Sequence, residues 1–222
     1  QSGDRQALEY AYSLISFVYG LQGNYPESAK YNLASLKINE EDGDFYKVAV
    51  SMSNLGEDYH SLGKDSMALY YLDSAIVLLQ HLGIDGVNVG LNYLTIGSIH
   101  QQHKNYAEAL KYFELGLKAG NETDDKRLLS DAYRNIAGLS TEKGNDSIAL
   151  KNLLLAVEVL SGQDVNQHIA LLYVDIGACY TRLKQYKKKK KYFSDALELS
   201  KQIESEEVQN QYYGSLELLD SA

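Results

Sequence analysis

Proline is nearly missing from this 222-residue chain: Pro26 is the only one. Helices can therefore run long without the breaks that a missing N–H and a fixed φ impose. One cysteine, Cys179, excludes a disulfide within the chain and leaves the compartment open. It follows Gly177-Ala178 beside Tyr180, and no basic neighbour argues for an activated thiolate, so a buried structural thiol is expected. No run of 18 apolar residues occurs and no signal-peptide profile opens the chain. A membrane-inserted segment is therefore not expected, and the compartment stays open between the cytoplasm and a periplasmic sensor segment. Basic residues are the scarcer charge, 21 against 30 acidic, for a formal charge of −9. That balance argues against contact with duplex nucleic acid and favours basic or neutral partners.

The residue constellations of catalysis are missing too. No glycine-rich phosphate loop, serine-nucleophile motif or metal-ligand cluster is present. The acidic stretch Asp42-Gly43-Asp44 lacks the alternating ligands before Gly and the Glu after it that a calcium loop requires. His100 and His103 could share part of a helix face, but His100 stands in an aromatic slot of a repeat and is read as packed. His60, His81 and His168 are isolated in sequence. The chain is therefore read as having no catalytic residue, no cofactor and no metal.

What the chain does contain is a period. A phrase of aliphatic, small residue and, three positions on, an aromatic reads Leu55-Gly56 with Tyr59, Ile96-Gly97 with His100 and Ile176-Gly177 with Tyr180, and Ile136-Ala137 carries Ser140 in the aromatic slot. Ile15-Ser16 with Tyr19 is a weaker first copy. The small positions follow one another at steps of 40 or 41 residues, the mark of a stacked-repeat architecture. One helical turn before each stand Tyr12, Met52, Tyr93, Tyr133 and Tyr173; sixteen residues after come Asn32, Leu72, Phe113, Leu153 and Phe193. Twelve after are Ser28, Ala68, Ala109, Ala149 and Lys189. Small residues mark a close helix approach and large apolar ones fill the space beside it, so each unit is a helix pair.

The turn within each pair falls at Gly23-Asn24-Tyr25, Gly63-Lys64-Asp65, Lys104-Asn105-Tyr106, Gly144-Asn145-Asp146 and Lys184-Gln185-Tyr186. Glycine suits the left-handed end of a first helix, and Asn or Asp is expected to cap the second. Pro26 opens a second helix, where its missing N–H costs least. Links between units are expected at 40–44, 83–86, 120–125 and 162–164.

This pattern resembles the tetratricopeptide repeat family over essentially the whole chain. Two departures stand out: Tyr replaces the usual opening Trp, and the period is about 40 rather than about 34 residues. Long units of this kind are similar to kinesin light chain repeats, cell-polarity adaptors and bacterial sensor arrays joined to signalling modules. The resemblance implies an all-α, right-handed superhelical solenoid of antiparallel helix pairs, one domain over 1–222. Its units are expected at 9–44, 49–86, 90–125, 130–165 and 170–205, with a partial sixth at 210–222 carrying Tyr212, Tyr213, Leu216, Leu218 and Leu219. Phe17 and Leu21 are expected to meet a preceding element, and the array to belong to a longer protein.

Function is read from the same resemblance. First-helix residues beside the small position face a concave groove in this family, which here gives Asn54, Glu57, Thr95, Ser98, Arg134, Asn135, Asp175 and Arg182 as candidate peptide-binding residues. Ser53, Leu94, Gly138, Val174, Ala178, His60, Gln101, Gln102, Thr141 and Glu142 are flanking candidates. The Lys and Asn set of chaperone-tail clamps is missing. A non-enzymatic protein- or peptide-binding module is expected. The alternatives are a sensor segment of a bacterial-type signalling or transcription regulator and a scaffold self-associating as a homo-oligomer. The lysine run Lys187 to Lys191 breaks the rule at Lys189, whose stem should lie along a neighbouring helix while its charge reaches water.

Overall fold

Apolar spacing along each segment sets the secondary structure. In 65–81, for example, Ala68, Leu72, Ala75, Ile76 and Leu79 are all buried and fall on one helical stripe. The computed structural model describes residues 2–84, 86–162, 166–203, 208, 210 and 213. Among them every regular element is helical. In chain order these are α1 (Ser2–Leu21), α2 (Tyr25–Asp42), α3 (Phe45–Ser61), α4 (Asp65–His81), α5 (Val87–Gln102), α6 (Tyr106–Thr123), α7 (Lys126–Glu142), α8 (Asp146–Val159), α9 (Asn166–Arg182) and α10 (Tyr186–Gln202).

The chain divides into two compact units, Gln1–Leu115 and Gly116–Ala222. In the first, α1 packs on α2, α2 on α3, α3 on α4, and α4 on α5, while α3 also meets α5. In the second, α7 packs on α8, α8 on α9, and α9 on α10. Three-residue turns between pair members make them antiparallel neighbours.

The small positions behave as the period predicts. A Cβ on Gly97 would lie 2.5 Å from Phe113 Cε1, one on Gly56 would lie 2.5 Å from Leu72 Cγ, and one on Gly177 would lie 2.6 Å from Phe193 Cδ1. Leu72, Phe113 and Phe193 are buried in return. Ala137 and Leu153 make the same small-and-large pair, both buried. The first helix pair differs: its corresponding residues, Ser16 and Asn32, are buried but polar.

Turn chemistry follows the expectation in part. Gly23, Gly63 and Gly144 are left-handed at φ 70°, 68° and 74°, and Lys104 and Lys184 take the same conformation at 60° and 57°. One bond then closes each turn: Asn24 N–H to Tyr19 O at 2.9 Å, Lys64 to Tyr59 at 2.8 Å, Asn105 to His100 at 2.9 Å, Asn145 to Ser140 at 2.8 Å and Gln185 to Tyr180 at 2.8 Å. The expected side-chain caps do not form at Asn24 or Asn145. Their ψ values of 65° and 60° fall short of the extended geometry that aims a cap oxygen at the free amides. Capping occurs instead at two of the first helices, α3 and α7, where Asp44 accepts from Lys47 N–H at 3.2 Å and Asp125 from Leu128 N–H at 2.7 Å. Helix also reaches farther into two of the expected links, through Asp42 and Thr123, before Gly43 (φ 71°) and Asp124 (φ 51°) turn the chain.

Beyond α10, Val208 is buried against Ala170, Val174, Phe193 and Ala196. Tyr213 is exposed, while Tyr212, Leu216, Leu218 and Leu219 lie outside the described residues. No helix among the described residues is long and apolar enough to cross a membrane.

Candidate functional site

A cavity of about 350 Å³ opens in the first unit between α1 and α3, with the start of α2 as its floor. Phe17, Gly20 and Leu21 of α1 form one wall, and Asn54, Glu57, Asp58 and Ser61 of α3 form the other. Beneath them lie Ser16, Ser28 and Asn32, with Tyr25 at the edge. The walls differ in kind. Phe17 is 63% exposed and Leu21 73%, a large uncovered apolar area, while the facing wall is polar and acidic. Among the described residues, no lysine, arginine or histidine lines the space.

The polar pair Ser16 and Asn32 explains the floor. Where other helix pairs fill this level with a large apolar side chain, Asn32 turns its Nδ2 to donate to Asp58 Oδ2 at 2.7 Å. Asp58 is itself buried. Burial pushes its pKa up, and hydrogen bonds from Asn32 and Ser28 only partly offset that push. Glu57 opens to the cavity, yet surrounding protein displaces bulk water from its carboxyl. That desolvation raises its pKa first, the neighbouring Asp58 charge raises it further, and His60 opposes both. Two adjacent carboxyl groups thus meet the cavity without a cation among its lining.

Two of the eight expected groove residues, Asn54 and Glu57, line this cavity. Thr95 and Ser98, also in the first unit, bond their hydroxyls back to Leu91 O at 3.2 Å and Leu94 O at 3.0 Å. In the second unit, Arg134 Nε donates to Asp175 Oδ2 at 2.7 Å, joining two groove positions one repeat apart. Arg182 donates through Nε to Asp146 and through Nη2 to Thr141 Oγ1 at 3.3 Å. Asn54 and Asn135 form no side-chain hydrogen bond to another described residue. Leu94 and Val174 are buried at 6% and 1% and line no surface, because at this register they turn into the core. Ser53 accepts from Asn92 Nδ2 at 2.9 Å instead of standing open.

Phe17 and Leu21 are brought to this cavity wall, not only to the chain's first edge. The signal was in the period: a step of 40 carries Leu14, Phe17 and Leu21 onto Asn54, Glu57 and Ser61. In α1, therefore, the groove register is apolar, with Leu14 also exposed.

The histidines separate. His100 stacks on Tyr112 with ring centroids 5.4 Å apart, whereas His103 Nε2 lies 2.8 Å from Asp65 Oδ2. His60 Nδ1 takes the other oxygen of Asp65 at 3.0 Å. An ionised carboxylate only accepts, so both rings donate. In the second unit, His168 Nε2 is 3.2 Å from both Ser130 Oγ and Asp131 Oδ1. One ring nitrogen cannot take a proton from Ser130 while being oriented by Asp131 through the other, so these three do not make a nucleophilic triad. No group of His, Cys, Asp and Glu that could hold a metal ion occurs among the described residues.

Cys179 is buried as expected, but it has a basic neighbour one turn on. Arg182 Nη2 lies 3.1 Å from its Sγ. The period hid this contact because three-residue helical spacing, not adjacency in sequence, brings the two together. Burial still dominates and pushes the thiol up, with the Arg182 charge opposing it. Lys189 is half-buried, its Nζ 5.9 Å from the Phe193 ring centroid.

Comparison with known proteins agrees with the repeat reading. The tetratricopeptide repeat family model matches residues 8–80, so this part of the chain carries that repeat in sequence as well as in fold. The protein KINESIN LIGHT CHAIN-RELATED 2 of Arabidopsis thaliana is 24% identical over 201 residues, which is 87% of this chain and 30% of that protein. The crystal structure of aspartyl phosphate phosphatase F from Bacillus subtilis matches with a TM-score of 0.84 at 13% identity, over 97% of this chain and 56% of that one. NprR in complex with its cognate peptide NprX matches with a TM-score of 0.71 at 17% identity, over 96% of this chain and 59% of that one. At such identities the structures share the fold, that of tetratricopeptide-repeat-like solenoids. The chain spans less than two thirds of the length of each of these three proteins.

Proposed function

We propose that this chain is a protein- or peptide-binding module that works through first-helix surfaces and carries out no catalysis of its own. Asn54, Glu57, Thr95 and Ser98 are its contact residues in the first unit, and Arg134, Asn135, Asp175 and Arg182 in the second. One observation carries the reading above the others: the cavity between α1 and α3 sets an uncovered apolar wall against a polar one. Pockets that hold ligands combine apolar lining with a few placed polar groups in this way. The fold shared with NprR, whose structure was solved with its cognate peptide, supports the same reading.

A second reading makes binding the input of a larger regulator. It is favoured by the length of NprR and of aspartyl phosphate phosphatase F, each of which extends well beyond the part this chain matches. In either case the first event is capture of a peptide segment.

Selection from a displayed library of unstructured peptides tests the proposal. Enriched peptides should bind the purified chain, and each should lose about fivefold in affinity with either Asn54→Ala or Asn135→Ala, the worth of one amide contact of about 1 kcal/mol. Peptides that bind both variants and Glu57→Ala as tightly as the parent would overturn it.

A further inference from the structure

The cavity between α1 and α3 is chemically lopsided, and that lopsidedness specifies an occupant. On one side the exposed rings and methyls of Phe17 and Leu21 offer apolar area that costs free energy to leave in water. On the other, Glu57 and Asp58 bring two carboxyl groups to a space with no basic residue in its lining. The floor cannot supply the missing charge. Ser16 spends its hydroxyl on Ser13 O at 2.8 Å, and Asn32 gives its amide to Asp58. His60, the histidine of α3, is held by Asp65.

Resting on the peptide-binding reading above, we infer that this cavity takes a peptide segment in which a lysine or arginine side chain stands directly beside an aliphatic or aromatic one. The cationic head meets Glu57 and Asp58, and the apolar neighbour covers Phe17 and Leu21. Asp58, the buried member of the pair, gains most from a partner of opposite charge, because the attraction is least screened where water is excluded, while the exposed Glu57 is open to the incoming cation. Desolvation raising the Glu57 and Asp58 pKa values agrees with such an unmet charge demand. A net charge of −9 would draw cationic segments toward the chain before docking. The cavity volume of about 350 Å³ lies at the low end for ligand sites, suited to one or two side chains.

The test is a panel of N-acetylated, C-amidated hexapeptides on a serine and alanine background, measured against the whole chain by titration calorimetry and by chemical-shift perturbation. Acetylation removes the terminal amine as a rival cation. A Leu-Lys or Leu-Arg pair should bind at least tenfold tighter than Leu-Gln, Leu-Glu or Ala-Lys. The preference for Lys over Gln should fall several-fold in Glu57→Gln, where Asp58 alone remains, and the preference for Leu over Ala should fall likewise in Phe17→Ala, where Leu21 alone remains. Both residues are exposed, so unchanged melting temperatures confirm that the variants fold. Equal binding of Leu-Lys and Leu-Gln overturns the inference, as does tight binding that survives both substitutions. A concentration-dependent dimer abolished by Phe17→Ala, with no hexapeptide bound, overturns it in favour of a second copy of the chain. Library peptides that depend on Asn54 or Asn135 but carry no cation beside an apolar residue would sink this inference while leaving the binding function standing.

Discussion

Adding one methyl group at Gly97 should cost stability where the same change in an ordinary helix would add it. Glycine to alanine in an open helix interior gains about 1 kcal/mol from lower chain entropy and better helix propensity. Here the new Cβ would sit 2.5 and 2.6 Å from Phe113 Cε1 and Cδ1 and 3.3 Å from Ala109 O. Carbon atoms in contact prefer about 3.5–4.0 Å, so the ring must move by about 1 Å. Phe113 is completely buried and has no open space to enter. Forced repacking of this kind costs about 1–3 kcal/mol. Against the propensity gain, Gly97→Ala should destabilise by about 1 kcal/mol, and Gly97→Val by more. Urea unfolding followed by circular dichroism gives the shift in midpoint at constant slope, and a Gly97→Ala, Phe113→Leu cycle should recover part of the loss by shortening the side chain that clashes. A Gly97→Ala variant more stable than the parent would show that α5 and α6 do not approach as closely as these distances state.

Two further outcomes follow from polar contacts. Glu9 is buried and accepts from Ser13 Oγ at 3.0 Å, Ser35 Oγ at 3.1 Å and Lys47 Nζ at 3.1 Å. Burial pushes its pKa up, but the Lys47 bond, those of Ser13 and Ser35 and the Lys47 charge together hold it below the ordinary 4.5. Its stabilising contribution is therefore complete above pH about 4.5 and is lost as pH falls through the lower folded value; the stability gap between the parent and Glu9→Gln should shrink between pH 6 and pH 3, and parallel curves would refute this. For the Arg134–Asp175 pair, with side chains 32% and 27% exposed, a double-mutant cycle with alanine should give a coupling of about 0.5–1 kcal/mol that falls with added salt. Zero coupling at low salt would mean the bond does not persist in solution.

The frame of this fold is legible because steric demands repeat with the period. Gly56, Gly97 and Gly177 must be small for the same reason each time, and Leu72, Phe113 and Phe193 must be large, so sequence spacing alone marks them. Polar partnerships carry no such period. Nothing in the sequence announces that Asp65 would take both His60 and, 38 residues further along than itself, His103, or that Arg182 would turn to Asp146 and the Cys179 sulfur. Caps fail for a related reason: Asn24 and Asn145 have the right chemistry, but the turn holds their backbones at the wrong ψ. Of the expected site residues, those that line the cavity, Asn54 and Glu57, were legible by resemblance; its apolar wall was legible only by reading α1 in the same register.

Departures from the period are informative because they cost stability. A Ser16 and Asn32 pair buries polar groups at a level where the other helix pairs bury a leucine or phenylalanine, forgoing about 1.5–3 kcal/mol of apolar burial for a large side chain. Asn32 offsets part of that loss by its bond to Asp58, yet Asp58 in turn needs the bond only because it is buried there. Stability alone would remove all three together in favour of the glycine and leucine or phenylalanine used elsewhere, since replacing both partners of a buried polar contact by fitting apolar groups is near neutral or better. What such a replacement would also remove is the polar floor of the α1–α3 cavity. The same helix pair departs a second time on its outer register, where Leu14, Phe17 and Leu21 stand exposed at positions that are Asn54, Glu57 and Ser61 one repeat on. Core turned polar at the floor and surface turned apolar at the wall of one cavity are errors for folding, and they are what the proposed capture of an amphipathic segment calls for.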